Sequence, residues 1–260
     1  DAKLRAALKR EPDNPAALNG TAMHLLEQGQ PGKAEAFARR GLAGIEKRNG
    51  KADPGTLCAV HNLAFILHTQ GRLAEAEALY FRAMVGRTLR LGEGHIETLE
   101  TMSNIASVLQ DRNQMKEAEK LTRRVLELQK QHLGEFHTDT LISANNLADL
   151  LKHQGQFKKA EKLHRQCLAG FKERLGEEHP KTLKSMGNLA GALAMQGRFA
   201  QAETLLRQVS LGTKAALGND HPETLTCMIN LGIVREMAAK KMATNSKKGK
   251  KKGKKNRRRR

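Results

Sequence analysis

The nine residues LGEEHPKTL, starting at Leu175, return in altered form at a fixed interval. LGEFHTDTL starts at Leu133, LGEGHIETL at Leu91 and LGNDHPETL at Leu217, and a worn copy, NGKADPGTL, starts at Asn49. Each start lies 42 residues from the next, with no insertion between them. Self-similarity at one fixed period predicts a solenoid, because each copy is a single supersecondary unit that cannot bury its apolar face alone. No single central core is expected, so chain length says little about domain count.

Between the turns the apolar pattern has a helical period. Val60, Leu63, Ala64 and Leu67 stand at i, i+3, i+4 and i+7, one face of a helix, here called helix A of the second repeat. Pro54 suits its first turn and Asp53 its N-cap; His179-Pro180 and His221-Pro222 take the same places later. Gln70-Gly71, Gln154-Gly155 and Gln196-Gly197 stop helix A, and Asn113 replaces the glycine once, the next residue to tolerate a left-handed cap. Helix B follows with Ala76, Leu79, Tyr80, Ala83 and Met84 as its buried stripe and ends at Leu91-Gly92. Two helices joined by so short a loop must lie antiparallel. Small residues recur where they cross: Ala64, Ala106, Ala148, Ala190 and Gly232 on helix A, and Ala34, Ala76, Ala118, Ala160 and Ala202 on helix B. Small side chains at such a contact let helix axes approach toward the low end of roughly 8–10 Å. With no Trp and one Tyr, the packing must come from Leu, Ala and Met.

This register sets the expected organisation. Residues 1–14 read as a partial helix or N-terminal cap, with Leu4 and Leu8 four apart. Residues 15–239 form the array, with repeats at about 15–48, 54–91, 96–133, 138–175 and 180–217 and a terminal helix at 222–237. Arg235 stands where earlier repeats have Leu67, Leu109, Leu151 and Leu193, so the last helix is expected to present a wet outer face. Residues 240–260 change character: they carry 13 Lys and Arg and no acid, out of a net charge of +19 for the whole chain. A block with no apolar face that repels itself is expected to be a disordered tail. The chain starts at Asp1 rather than Met and is read as part of a longer polypeptide.

The repeats resemble a known family. Against the tetratricopeptide pattern W-x2-L-G-x2-Y…A-x3-F, the second repeat reads Val60-x2-Leu63-Ala64-x2-Leu67…Ala76-x3-Tyr80. The 42-residue form, with LGxxHPxTL turns and an NLA box (Asn62-Leu63-Ala64, Asn146-Leu147-Ala148, Asn188-Leu189-Ala190), resembles the repeats of kinesin light chains. HEAT and armadillo repeats have a similar length, but the G-x4-A turn and the paired small residues favour the tetratricopeptide frame. The resemblance implies an all-α solenoid (TPR-like, a right-handed superhelix of antiparallel helix pairs). It further implies a non-enzymatic scaffold or adaptor that holds peptide segments in a groove lined by its A helices. Kinesin heavy chain or the cytoskeleton would be its partners and the cytoplasm its location. Kinesin light chains join the motor through a heptad coiled coil, and no a/d seam precedes Pro15.

On helix A the residue before the buried Leu or Ile is Asn in five repeats: Asn62, Asn104, Asn146, Asn188 and Asn230. An amide both donates and accepts, so such a ladder suits the backbone of an extended peptide. The same amides can instead bond the neighbouring repeat and set the stacking angle. His61, Asn145, Lys152 and Lys184 stand at neighbouring groove positions, the lysines favouring acidic ligands.

Other chemistries are poorly supported. His95, His137, His179 and His221 recur one per repeat, on the order of 10 Å apart, whereas zinc needs every ligand at roughly 2 Å; they read as turn residues, and no metal or cofactor is expected. No G-x-S-x-G, HExxH, G-x4-GK[ST] or G-x-G-x-x-G is present, so no catalytic residue is assigned. Cys58, Cys167 and Cys227 are odd in number, form no CxxC pair and read as reduced thiols. No apolar run reaches membrane-spanning length. In the tail, Lys247, Lys248, Lys250, Lys251, Lys252, Lys254, Lys255, Arg257, Arg258, Arg259 and Arg260 offer a nuclear import signal, a contact for RNA or DNA, or an anchor to an acidic lipid or microtubule surface. A nucleic-acid-associated or nuclear protein whose repeats recruit partners is therefore the alternative reading.

Overall fold

The computed structural model describes residues 3, 6 and 9–257, with side chains up to residue 243. The chain divides into two compact bodies, Asp1–Glu135 and Phe136–Arg260. The N-terminal body holds α1 (Pro15–Glu27), α2 (Pro31–Asn49), α3 (Pro54–Thr69), α4 (Leu73–Leu91), α5 (Ile96–Asp111) and α6 (Met115–Leu133). The C-terminal body holds α7 (Thr138–His153), α8 (Phe157–Leu175), α9 (Pro180–Met195), α10 (Phe199–Leu217) and α11 (Pro222–Arg257). Within each body every helix packs on the next, as antiparallel A–B pairs. Of the stretch read as an N-terminal cap, residues 3, 6, 9 and 10 are helical, while Leu4 and Leu8 lie outside the described residues.

The turn chemistry follows the sequence closely. Gly29, Gly71, Gly155 and Gly197 end the A helices at φ between 71° and 77°, and Asn113 takes the same conformation at φ 61°. The B helices end differently. Gly92, Gly134, Gly176 and Gly218 have φ near 90° with ψ of 162°, 159°, 169° and 172°. That region is closed to residues with a Cβ, so glycine is required at each of these corners. Thr56, Thr98 and Thr182 then close the turn by donating to the carbonyls of Gly50, Gly92 and Gly176 at 2.8, 3.0 and 2.8 Å.

The paired small residues are buried between the helices. Ala34, Ala76, Ala118, Ala160 and Ala202 are fully buried on the B helices, as are Ala64, Ala148 and Ala190 on the A helices. In the C-terminal body they join a core of Leu183, Met186, Leu189, Leu193, Leu206, Val209 and Val234; in the N-terminal body, Leu99, Met102, Val125 and Leu128 form an equivalent cluster. Gly232 departs from the series and is exposed.

α11 also departs from the expected bounds. The repeat register predicts its end near residue 237 and disorder from 240, yet one continuous helix runs to Arg257. Ala, Met, Lys and Arg are all good helix formers, and Lys240 pairs with Glu236 one turn back. The side chains of Lys247 to Arg257 lie outside the described ones, and Arg258, Arg259 and Arg260 lie outside the described residues altogether.

Candidate functional site

The four recurrent histidines are helix caps. His95, His137, His179 and His221 each accept at Nδ1 from the backbone N–H two residues on, at 3.3, 3.3, 3.1 and 3.2 Å. Asp53 does the same for α3 with one carboxylate oxygen. A capping side chain satisfies a helix N–H that has no partner within the helix.

The asparagine ladder ties A helices together. In the N-terminal body Asn62 donates to Asn19 Oδ1 at 3.3 Å, and the Asn104 amide meets His61 Nε2 at 3.2 Å. In the C-terminal body Asn188 donates to Asp149 Oδ2 at 3.0 Å. Three of the five therefore reach one repeat back along the A-helix face, whereas Asn146 and Asn230 are exposed. These bonds link successive A helices within each body.

Two residues read as groove positions lie inside instead. His61 is buried and accepts at Nδ1 from Arg87 Nη1 at 3.3 Å, beneath an edge-on Tyr80 ring. Arg87, itself buried, also donates to Thr101 Oγ1 at 2.7 Å and to the Glu97 carbonyl at 3.0 Å. Burial, reinforced by the Arg87 charge, lowers the His61 pKa to about 4 and keeps the ring neutral. Asn145 is likewise buried, with its Oδ1 2.7 Å from His164 Nδ1. His164 is wholly enclosed; burial lowers its pKa to about 4, with Asp149 opposing the shift and Lys152 aiding it. Both side chains face their B helices because they stand one residue before the ladder, a rotation of about 100°.

What remains open is a groove in the C-terminal body. Helices α7, α9, α10 and α11 line an open cavity of about 500 Å³, whose walls include Lys152, Lys184, Gly187, Asn188, Gly191, Met195, Leu206, Asn230, Ile233 and Met237. Gly187 and Gly191 form its floor, where a Cβ would meet nothing within 4 Å. Lys152 is held by Asp149 at 2.5 Å, but Lys184 is exposed and has no acidic partner among the described residues. An adjoining cavity of about 320 Å³ is lined by Leu183, Val209, Thr213, Leu217 and Cys227. It opens because Thr213 stands where earlier repeats place Arg87, Gln129 and Phe171, all buried. The substitution is visible at the 42-residue period, but no motif marks the position as functional. Among the described residues no group of His, Cys, Asp or Glu could hold a metal, and no helix is long and apolar enough to cross a membrane.

Comparison with known proteins agrees with this architecture. A tetratricopeptide repeat family model matches residues 55–131, 97–173 and 139–210, and a second one matches residues 2–55. The fold is similar to the crystal structure of the "putative kinesin light chain nearly identical TPR-like repeats" of Podosopora anserina, at 26% identity and a TM-score of 0.66, covering 80% of this chain and 98% of that one. BtubC (BKLC) from P. vanneervenii shares the fold at 21% identity and a TM-score of 0.66, over 85% of this chain and 89% of its own. RapI shares it at 14% identity and a TM-score of 0.67, over 89% of this chain and 62% of its own. No curated protein matches. The 42-residue period, the A–B helix pairs and these matches make the chain a tetratricopeptide repeat protein.

Proposed function

We propose that this chain is a non-enzymatic adaptor that binds acidic peptide segments in the groove of its C-terminal body. The observation that carries this reading is the cavity of about 500 Å³ that joins an unpaired Lys184 to an apolar wall of Met195, Ile233 and Met237. Lys184 supplies the charge, Asn188 and Asn230 supply amides for an extended backbone, and the glycine floor lets that backbone approach closely. Likeness to kinesin light chain repeats supports a role in linking cargo to a motor or to the cytoskeleton. Titration with kinesin heavy chain tests the motor part of that role directly.

A second reading rests on the tail, whose 13 basic residues favour RNA, DNA or another polyanionic surface and a nuclear location. One comparison separates the two. The full chain and a chain lacking residues 240–260 are titrated with acidic, neutral and basic peptides and with a short RNA duplex. Retained acidic-peptide binding without the tail supports the adaptor. Loss of every interaction with the tail, together with a steep salt dependence, supports the polyanion reading instead.

A further inference from the structure

α11 exposes two positions that every earlier A helix buries, those of Leu225 and Met228, and beside them Ile229. Leu225, Met228 and Ile229 are 46%, 53% and 62% exposed. The residues aligned with Leu225 are Leu57, Leu99, Leu141 and Leu183, none more than 5% exposed. Those aligned with Met228 are Val60, Met102, Ala144 and Met186, none above 7%. In each earlier repeat an antiparallel B helix covers this stripe. In α11 the segment that would turn back continues straight instead, for 36 residues in all against 16 in α9.

The way the stripe is covered elsewhere identifies what fits it here. A Cβ on Gly86, Gly170 or Gly212 would collide with Leu57, Leu141 or Leu183, so three B helices receive that leucine on a glycine. α11 carries both halves of this contact. Leu225 is the leucine, and seven residues on, Gly232 is an exposed glycine whose Cβ would meet nothing within 4 Å. Two α11 helices laid antiparallel place each Leu225 on the other's Gly232 and bring Met228 and Ile229 together on the dyad.

Charge selects the same arrangement. The basic segments, 13 charges each, then leave at opposite ends, whereas a parallel pairing sets them side by side. We infer that a second copy of this chain covers the α11 stripe, forming a twofold antiparallel dimer with Leu225 seated on Gly232. The seam is one helix wide, roughly 1,000 Å² at most, so the association depends on concentration.

Sedimentation equilibrium of the full chain, from about 1 to 300 µM (a range suited to a small interface), tests this. The expected mass rises from the monomer's 28.7 kDa toward twice that value. Ile229→Glu is expected to stay monomeric with unchanged helical content and melting. Gly232→Leu, whose Cβ meets nothing within 4 Å in its own chain but fills the seat of Leu225, is likewise expected to weaken the dimer and keep the fold. A monomer at every concentration overturns the proposal and leaves the stripe to a helix of another protein. A dimer that survives Ile229→Glu or Gly232→Leu, or a mass that grows beyond two copies, overturns it as well.

Discussion

Arg198 Nη1 lies 2.7 Å from both carboxylate oxygens of Glu161, joining the turn between α9 and α10 to the B helix of the preceding repeat. Gln196 donates to the same carboxylate at 2.8 Å and Arg165 at 3.0 Å. Arg72 on Glu35 repeats this contact, and the carboxylates aligned with Glu161 meet an arginine from other positions too, Arg112 on Glu77 and, from helix α11, Arg235 on Glu203. Burial disfavours the Glu161 charge, but the three donors together outweigh it and hold the carboxyl below its usual value. Glu161→Ala is expected to cost about 1–2 kcal/mol in chemical denaturation. Because the folded-state value is depressed, this contribution is present above the ordinary carboxylate range and fades as pH falls through it. The pH dependence between about 5 and 3 should therefore be shallower in the variant, in a range where carboxylates titrate.

The two buried histidines give an acid dependence at higher pH. His61 and His164 titrate near 4 in the folded chain, against 6.5 for a free imidazole. The unfolded chain thus binds more protons between those values, and stability present above pH 6.5 is lost on descending toward 4. Each ring accounts for roughly 2–4 kcal/mol over the whole window. His164→Gln should flatten the fall in unfolding free energy between about pH 7 and 4.5, whatever it does to stability at neutral pH. An unchanged slope counts against enclosure of the ring.

The histidine caps can be tested by exchange. His179→Ala removes the acceptor for the Lys181 N–H and should cost about 1 kcal/mol. His179→Asp supplies the carboxylate that Asp53 already provides at α3 and should leave stability equal or higher. Thermal denaturation of both variants reads the difference.

Ala148 is fully buried where α7 crosses α8. Ala148→Leu forces side chains into a full contact and should destabilise the C-terminal body by about 1–3 kcal/mol. Asn146, two residues earlier on the same helix, is exposed and serves as the control. Asn146→Ala should change stability by no more than about 0.5 kcal/mol in either direction. Chemical denaturation of the two variants side by side reads the contrast.

Backbone architecture was legible because it depends on residue types with few substitutes. Gly92, Gly134, Gly176 and Gly218 occupy a conformation that other residues avoid, and Asn113 replaces glycine only where a left-handed cap tolerates it. The site was less legible. Asn62, Asn104 and Asn188 have the right pattern for a ligand, yet each meets a side chain one repeat back, and periodicity alone does not tell those roles apart. His61 and Asn145 read as groove residues but point the other way, since one residue of helix turns a side chain by about 100°. Arg87 was invisible as a buried cation because its aligned counterparts are Gln129, Phe171 and Thr213, four unrelated chemistries at one position. Arg235 is exposed, as the wet outer face expected of α11 requires, while Leu225, Met228 and Ile229 show an apolar surface two to three turns earlier.

The groove reading turns on Lys184. Isothermal titration of the full chain and of Lys184→Glu with one acidic, apolar-flanked peptide measures its part most directly. The side chain is exposed and unpaired, so the variant should melt as the parent does. Affinity is expected to fall by about tenfold or more, with the loss shrinking at high salt. Equal affinity of the two chains for that peptide would contradict the account.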